Sequence, residues 1–283
     1  MRLARFEIDG QIDIGVVEDE GIISLGAAGC LFPDMLSIIA AGDAALDQIR
    51  EMTDAIAPHH RLQDVRFLAP LRPGKYLAIG MNYAKHIAEM GRDSAPPHQY
   101  WFNKQTTCIS DPFDPIDPGV STMVDYEVEL GVVIGAKAKG VRADEALSHV
   151  FGYVVANDVS ARDWQKHTPT FTMGKSFDTH GPIGPWIVTA DEIPDPQTLA
   201  LRCYVNGEKR QESTTANMIH SIASQIEYLS TAFTLEPGDL IATGTPEGVG
   251  MGMNPPQFLK EGDVVRCEID GIGAIENRVT KAG

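Results

Sequence analysis

The stretch DYEVELGVVIG, Asp125 to Gly135, sets two glutamates on alternate positions at the start of an apolar run. Side chains on a strand alternate between faces, so Glu127 and Glu129 share a face with Asp125, opposite Tyr126, Val128 and Leu130. From Leu130 onward the run is apolar on both faces, as a strand entering a core should be. Further along, FGYVVANDVSARDWQK gives a second apolar strand, Phe151 to Ala156, ending in Asn157 and Asp158. Acids at alternate strand positions most often make a solvated face, and an acid just before a helix is often structural. If Asp158 meets Glu127 and Glu129, however, three carboxylates converge without cysteine or histidine. That all-oxygen set suits a hard divalent cation, Mg²⁺ or Mn²⁺. Without a cation, three carboxylates in close contact could not all stay ionised.

A second group lies in GMNYAKHIAEMGRD, where His86 and Glu89 take i, i+3 positions and share one face of a helix. A carboxylate on an imidazole fixes its tautomer and raises its basicity, the arrangement of a general base acting on water. A surface pair is the plainer alternative. The flanking GRDSAPPHQ, punctuated by glycine and proline, fits a mobile lid. Arg162 and Gln165 are also i, i+3, on a short helix after Asp158 for which Ser160 reads as the N-cap; both suit an anionic or carbonyl oxygen. Lys175, in a glycine-flanked loop, suits an oxyanion. The Gly/Thr/Pro loop within Gly238 to Met253 would let backbone approach a small ligand, and lacks the GxxxxGK[ST] order of a nucleotide P-loop.

The elements that must position these residues read mostly as strands. Asp9-Gly10, Asn206-Gly207 and Asp270-Gly271 mark hairpins between alternating runs. Pro33 to Met52 reads as helix broken or kinked near Gly42, and Ile219, Ile222, Ile226, Leu229 and Phe233 define one further helix. The prolines and glycine of LAPLRPGK place a boundary between an N-terminal α+β region, 1–70, and a catalytic segment, 71–283. The whole is β-rich α+β rather than alternating βαβ. A net charge of −16 argues against nucleic acid or an anionic membrane as partner. No apolar run reaches the length of a membrane helix, and four scattered cysteines fit neither a zinc knuckle nor a disulfide framework. A cytoplasmic protein with reduced thiols is the expectation.

Five segments, GMNYAKHIAE, YEVELGVVIG, NDVSARDWQ, GKSFDTHGPIGPW and GTPEGVG, resemble the fumarylacetoacetate hydrolase family in order and spacing. The resemblance runs from Pro73 to the C-terminus; the first seventy residues look like the family's variable region. It implies a mixed β-roll, usually a homodimer. Glu127, Glu129 and Asp158 would hold one Mg²⁺ or Mn²⁺ per subunit. His86 and Glu89 would be the water-activating dyad, with Lys175, Arg162, Gln165 and Thr245 around the substrate. The implied reaction is cleavage of the C3–C4 bond of a 2,4-diketo acid (an acylpyruvate) to pyruvate and a carboxylic acid. Rivals are an oxaloacetate decarboxylase or a hydratase/isomerase of a 2-oxo acid and, from another class, a non-catalytic metal-dependent oxo-acid binder. Gln105 and Phe171 depart from the common pattern at the expected pocket rim. Gln105 and Thr106, as polar rim residues, leave a sugar-derived 2,4-diketo-3-deoxy acid open as substrate.

Overall fold

The computed structural model describes residues 1–19 and 21–281. Alternation of small apolar and polar residues forms β1 (Arg2–Ile8) and β2 (Gln11–Val17), joined where Asp9 and Gly10 both take positive φ, 50° and 76°, as a tight hairpin turn requires. After β3 (Ile22–Ser24) come α1 (Met35–Ala41) and α2 (Asp43–Thr53), separated at Gly42, whose φ of 60° stops the first helix. β4 (Arg66–Leu68), β5 (Tyr76–Gly80), α3 (Ala84–Glu89), β6 (Tyr100–Lys104) and β7 (Ile109–Ser110) follow. Next are β8 (Val124–Asp125), β9 (Val128–Ile134), β10 (Val150–Asn157), β11 (Ser160–Ala161), α4 (Arg162–Gln165) and β12 (Gly181–Thr189). The chain closes with β13 (Ala200–Val205), β14 (Glu208–Thr214), α5 (Ile222–Ala232), β15 (Leu240–Ala242), β16 (Val264–Ile269) and β17 (Gly273–Arg278).

The large sheet runs β3-β2-β1-β12-β10-β9-β15-β5-β6, with β4 added to β1 and β7 to β12. It is mixed: β15 is parallel to β5 and β7 to β12, while the other pairs are antiparallel. A second, antiparallel sheet runs β14-β13-β16-β17. Every residue of β9 and β10 is buried, so the centre of the large sheet is covered on both faces. Leu130, Val132 and Ile134 pack on the small sheet (Cys203, Val265, Cys267) and on Ile222, Ile226 and Leu229 of α5. From the opposite face, Val133 and Val154 pack with Ile38, Ile39 and Ile49 of α1 and α2. The β-rich α+β expectation is met.

Two local expectations change. Ser160 does not cap the helix after Asp158; it lies in β11 opposite Asp125, its hydroxyl donates to the Asp158 carbonyl, and Ala161 precedes α4 without a side-chain cap. α5 starts only at Ile222, with Ser221 as its cap, and Ile219 and Phe233 are exposed outside it. Cys203 and Cys267, distant in sequence, face each other across β13 and β16 as free thiols with sulfurs 3.8 Å apart.

Candidate active site

β9 and β10 bring the three carboxylates together by register. Asn157 pairs with Val128 and Ala156 with Glu129, so the residue after the end of β10 falls beside the residue before β9. The Asp158 amide donates to the Glu127 carbonyl, and the Glu127 amide donates to the Asn157 side chain. Glu127, Glu129 and Asp158 each offer an oxygen within 4.8 Å of the others, and all are buried. Asp125 does not join them. It accepts from Arg162 Nε and from the amides of Gly250 and Met251, because β8 ends at Asp125 and the chain re-enters the sheet only at Val128.

Cations flank the triad unevenly. Lys175 Nζ lies 2.8 Å from Glu127 Oε2 and 2.6 Å from Asp158 Oδ2. Lys104 Nζ lies 2.5 Å from Asp158 Oδ1 and donates to the His180 carbonyl. Arg162 Nη2 reaches ion-pair distance of both Glu127 and Asp125. Burial would raise the Glu127 carboxyl, but Lys175, Arg162 and His86 outweigh it and hold it down to about 2. Glu129 has no cationic partner among the described residues, and its carboxylate accepts only the Gly244 amide. Burial, with Asp158 and Glu127 alongside, pushes its carboxyl well above the usual range. Counting Asp125 with the triad gives four carboxylates against three cations, Lys104, Lys175 and Arg162, all of them buried. The remaining charge and the uncompensated Glu129 fit a hard divalent ion held by all three carboxylates.

His86 and Glu89 stand on α3 as expected, with Nδ1 and Oε1 2.6 Å apart. The other Glu89 oxygen accepts from the Gly248 amide, tying α3 to the loop after β15. Asn82 reinforces that contact, its amide donating to the Thr243 and His220 carbonyls. A cavity of about 310 Å³ opens between these groups, lined by His86, Glu127, Arg162, Gln165, Lys175 and Thr245 among others. Gln165 accepts from Arg162, while the Thr245 hydroxyl is taken up by the Val128 carbonyl and the Gln211 amide. Phe171 lines this cavity, but Gln105 and Thr106 do not; they border a separate hollow with Lys75 and Phe233, because β6 turns away after Lys104. Polar rim residues at 105 and 106 therefore say nothing about the substrate. Lys104 was not singled out from sequence, since nothing in FNKQ distinguishes a lysine that turns inward. Two lining residues, Met81 and Phe171, hold positive φ of 59° and 61°, strain of the kind that accumulates at ligand sites.

A sequence model described as the C-terminal domain of fumarylacetoacetate (FAA) hydrolase matches residues 75–280. The chain belongs to the fumarylacetoacetate hydrolase family. A Burkholderia cenocepacia relative named as a hydrolase is 45% identical over 276 residues, 96% of each chain. Fumarylacetoacetate hydrolase from Exiguobacterium antarcticum is 40% identical, with a TM-score of 0.87 and full coverage of both chains. Maleylpyruvate hydrolase from Sphingobium sp. SYK-6, solved with a manganese(II) ion and pyruvate, is 32% identical with a TM-score of 0.84, again over both whole chains. The fold is that of the fumarylacetoacetate hydrolase family, and the buried Glu127, Glu129 and Asp158 form a cluster that could hold a divalent metal. No helix among the described residues is long and apolar enough to cross a membrane.

Proposed function

We propose that the protein is a metal-dependent hydrolase that cleaves the C3–C4 bond of 2,4-dioxo acids, giving pyruvate and a carboxylic acid. The observation that carries this reading is the convergence of an acidic triad and a His–Glu dyad on one cavity. A divalent cation on Glu127, Glu129 and Asp158 would supply positive charge for the substrate's pyruvyl oxygens and for the electron pair released on cleavage. Manganese and pyruvate in the Sphingobium maleylpyruvate hydrolase support that assignment by likeness.

The chain's own groups then divide the work. Glu89 accepts from Nδ1 of His86, which leaves Nε2 with the lone pair that takes a proton from water. As the water oxygen attacks the C4 carbonyl carbon, the Glu89 carboxylate stabilises the imidazolium that forms. Lys175 spends two of its three hydrogens on Glu127 and Asp158, and its third serves the new oxyanion. Arg162 and the amide hydrogens of Gln165 hold the substrate carboxylate, and Thr245 shapes the wall. Scission of C3–C4 leaves the electron pair on the pyruvyl half, and the proton held at Nε2 returns to C3. Hydrolysis, unlike decarboxylation or isomerisation, requires such a water-activating base.

Dialysis against EDTA should abolish release of pyruvate and the complementary acid from an acylpyruvate, and Mg²⁺ or Mn²⁺ should restore it. His86→Ala should lose hydrolysis while calorimetric Mn²⁺ binding persists. Chelator-resistant turnover, or faster CO₂ release from oxaloacetate than acylpyruvate cleavage, would count against the reading.

A further inference from the structure

One side chain of the small sheet reaches across to the strand that carries the acidic triad. Gln211 of β14 is buried, and its amide bridges β9 and the loop after β15. Its Oε1 accepts from the Val128 amide at 3.0 Å, and its Nε2 donates to Thr245 Oγ1 at 2.8 Å and to the Pro246 carbonyl at 2.9 Å. That orientation of the amide is fixed, because only its oxygen end can face a backbone N–H. Thr245 Oγ1 in turn donates to the Val128 carbonyl at 3.0 Å. Val128, Gln211 and Thr245 thus close a ring of three hydrogen bonds, all between buried residues, that ties together three segments distant in the chain.

The ring sits where the strand is interrupted. β8 ends at Asp125, and pairing with β10 resumes at Val128. The peptide unit between Glu127 and Val128 lies at that break, with one glutamate of the triad before it and the other one residue beyond it. Its carbonyl accepts from the Asp158 amide and its N–H donates to Gln211, so both polar ends of the unit are held. Without Gln211, the Val128 N–H, the Thr245 oxygen and the Pro246 carbonyl would each lose a partner in a place closed to water. The ring also commits the single Thr245 hydroxyl hydrogen to Val128, so Thr245 meets the cavity with its methyl group or an oxygen lone pair, not as a donor.

We infer that Gln211 is a positioning residue for the site: it sets the spacing of Glu127 and Glu129 through the Val128 peptide and fixes the Thr245 hydroxyl. It is not among the residues lining the cavity, and it acts through backbone and through Thr245. The inference rests on the reading of the triad as a divalent-metal site, and Mn²⁺ affinity tests it without catalysis.

The test separates positioning from plain stability. Gln211→Met keeps the length of the side chain and removes its hydrogen bonds. Well below its melting temperature, calorimetry should show Mn²⁺ affinity weakened about tenfold, the lower end of the range for residues that hold metal ligands in place. Gln211→Asn, whose amide falls one methylene short of the ring, should show a similar loss and serves if the Met variant does not fold. Ile275→Ala removes packing from the core of the same small sheet, so it should lower the melting temperature and leave Mn²⁺ affinity unchanged. The electron paramagnetic resonance spectrum of bound Mn²⁺ should change in the Gln211 variants and not in Ile275→Ala. Parent-like Mn²⁺ affinity in a folded Gln211 variant, or an equal loss in Ile275→Ala, overturns the inference. With Mn²⁺ saturating, Gln211→Met should still cleave an acylpyruvate with about tenfold lower kcat/KM, because Thr245 has been released as well. Unchanged Mn²⁺ affinity and unchanged cleavage refute the positioning role and leave the hydrolase reading intact. A loss of Mn²⁺ affinity alongside a parent protein that cleaves no acylpyruvate supports the positioning role and refutes the hydrolase reading. A parent protein that binds no Mn²⁺ refutes both.

Discussion

At the level of single residues, the site is an exercise in placing opposite charges out of water. Each Asp158 oxygen faces an ammonium, Lys104 on one side and Lys175 on the other, while Glu129 has only a backbone amide. The glutamate pair was legible because strand alternation puts both on one face, and Asp158 because it ends a buried strand. Lys104, the Gly244 amide and the diversion of Asp125 to Arg162 were not legible, since each depends on a contact between distant segments. Lys104→Met should destabilise the metal-free protein by about 3 kcal/mol, because removing one member of a buried pair strands the other. Saturating Mn²⁺ should return part of that loss by neutralising the same carboxylate. Urea unfolding with and without Mn²⁺ checks both, and an unchanged metal-free midpoint would contradict the charge account. His180 gives a pH-dependent counterpart. Its Nε2 contacts the Asp117 carbonyl, its buried Nδ1 has no partner among the described residues, and burial together with the Lys104 charge pushes the imidazole down to about 3. The unfolded chain takes up this proton near pH 6.5 and the folded chain does not, so stability falls as pH drops from about 6.5 toward 3, by up to about 1.4 kcal/mol per unit. His180→Gln, which retains a donor for Asp117 but does not titrate, should give a correspondingly flatter pH dependence of the urea midpoint over that interval.

Among the elements, the loop after β15 does more than its composition advertised. Glycine and threonine repeats marked it as able to approach a ligand, yet its chief contacts are to other parts of the site: Gly244 to Glu129, Gly248 to Glu89, Gly250 to Asp125. Hairpins and amphipathic helices were readable because turn residues and short-period spacing are local. The parallel pairing of β15 with β5, which sets this loop beside α3, joins segments far apart in the chain and leaves no such signal. Ser160 was misread for a related reason: a serine before a short helix resembles a cap, whereas its strand pairing with Asp125 is non-local. A substitution in the loop can separate catalysis from stability. A Cβ at Gly252 would come within 2.7 Å of Glu89 Oε2 and 2.8 Å of Glu89 Cδ, the mobile end of a side chain rather than backbone. Gly252→Ala should therefore displace the carboxylate from His86 at a stability cost of about 1 kcal/mol or less, yet lower kcat about a hundredfold, the scale of an ångström's misplacement. A thermal melt beside steady-state rates checks this; an unaffected kcat would mean that Glu89 does not need its present position.

For the molecule as a whole, the question is what supports the sheet behind the triad. The family match begins at residue 75, just after the proline-rich LAPLRPGK segment at which the sequence suggests a boundary. The large sheet nevertheless continues across that point, because β1 pairs antiparallel with β12. Leu3, Ile14, Val16, Ile38, Ile39 and Ile49 are buried and belong to the same core cluster as Val133, Val154, Ile183 and Ile187. By strand alternation Val133 shares its face of β9 with Glu129. Each such aliphatic side chain contributes about 1.5–3 kcal/mol on burial, so the six together supply on the order of 10 kcal/mol, comparable with the entire stability of an ordinary domain. A fragment comprising residues 71–283 should accordingly fail to melt cooperatively and should bind a dye for exposed apolar surface. It should also lose Mn²⁺ affinity, since the register of β9 against β10 that joins Asp158 to the glutamates would no longer be held from behind. Supplying residues 1–70 in trans should restore part of the affinity, because β12 would regain its neighbour. Calorimetry and circular dichroism of the fragment, alone and with that supplement, decide the matter; a fragment that unfolds cooperatively and binds Mn²⁺ like the full chain would show that the acidic site is held by the β9–β10 pair without the layer beneath it.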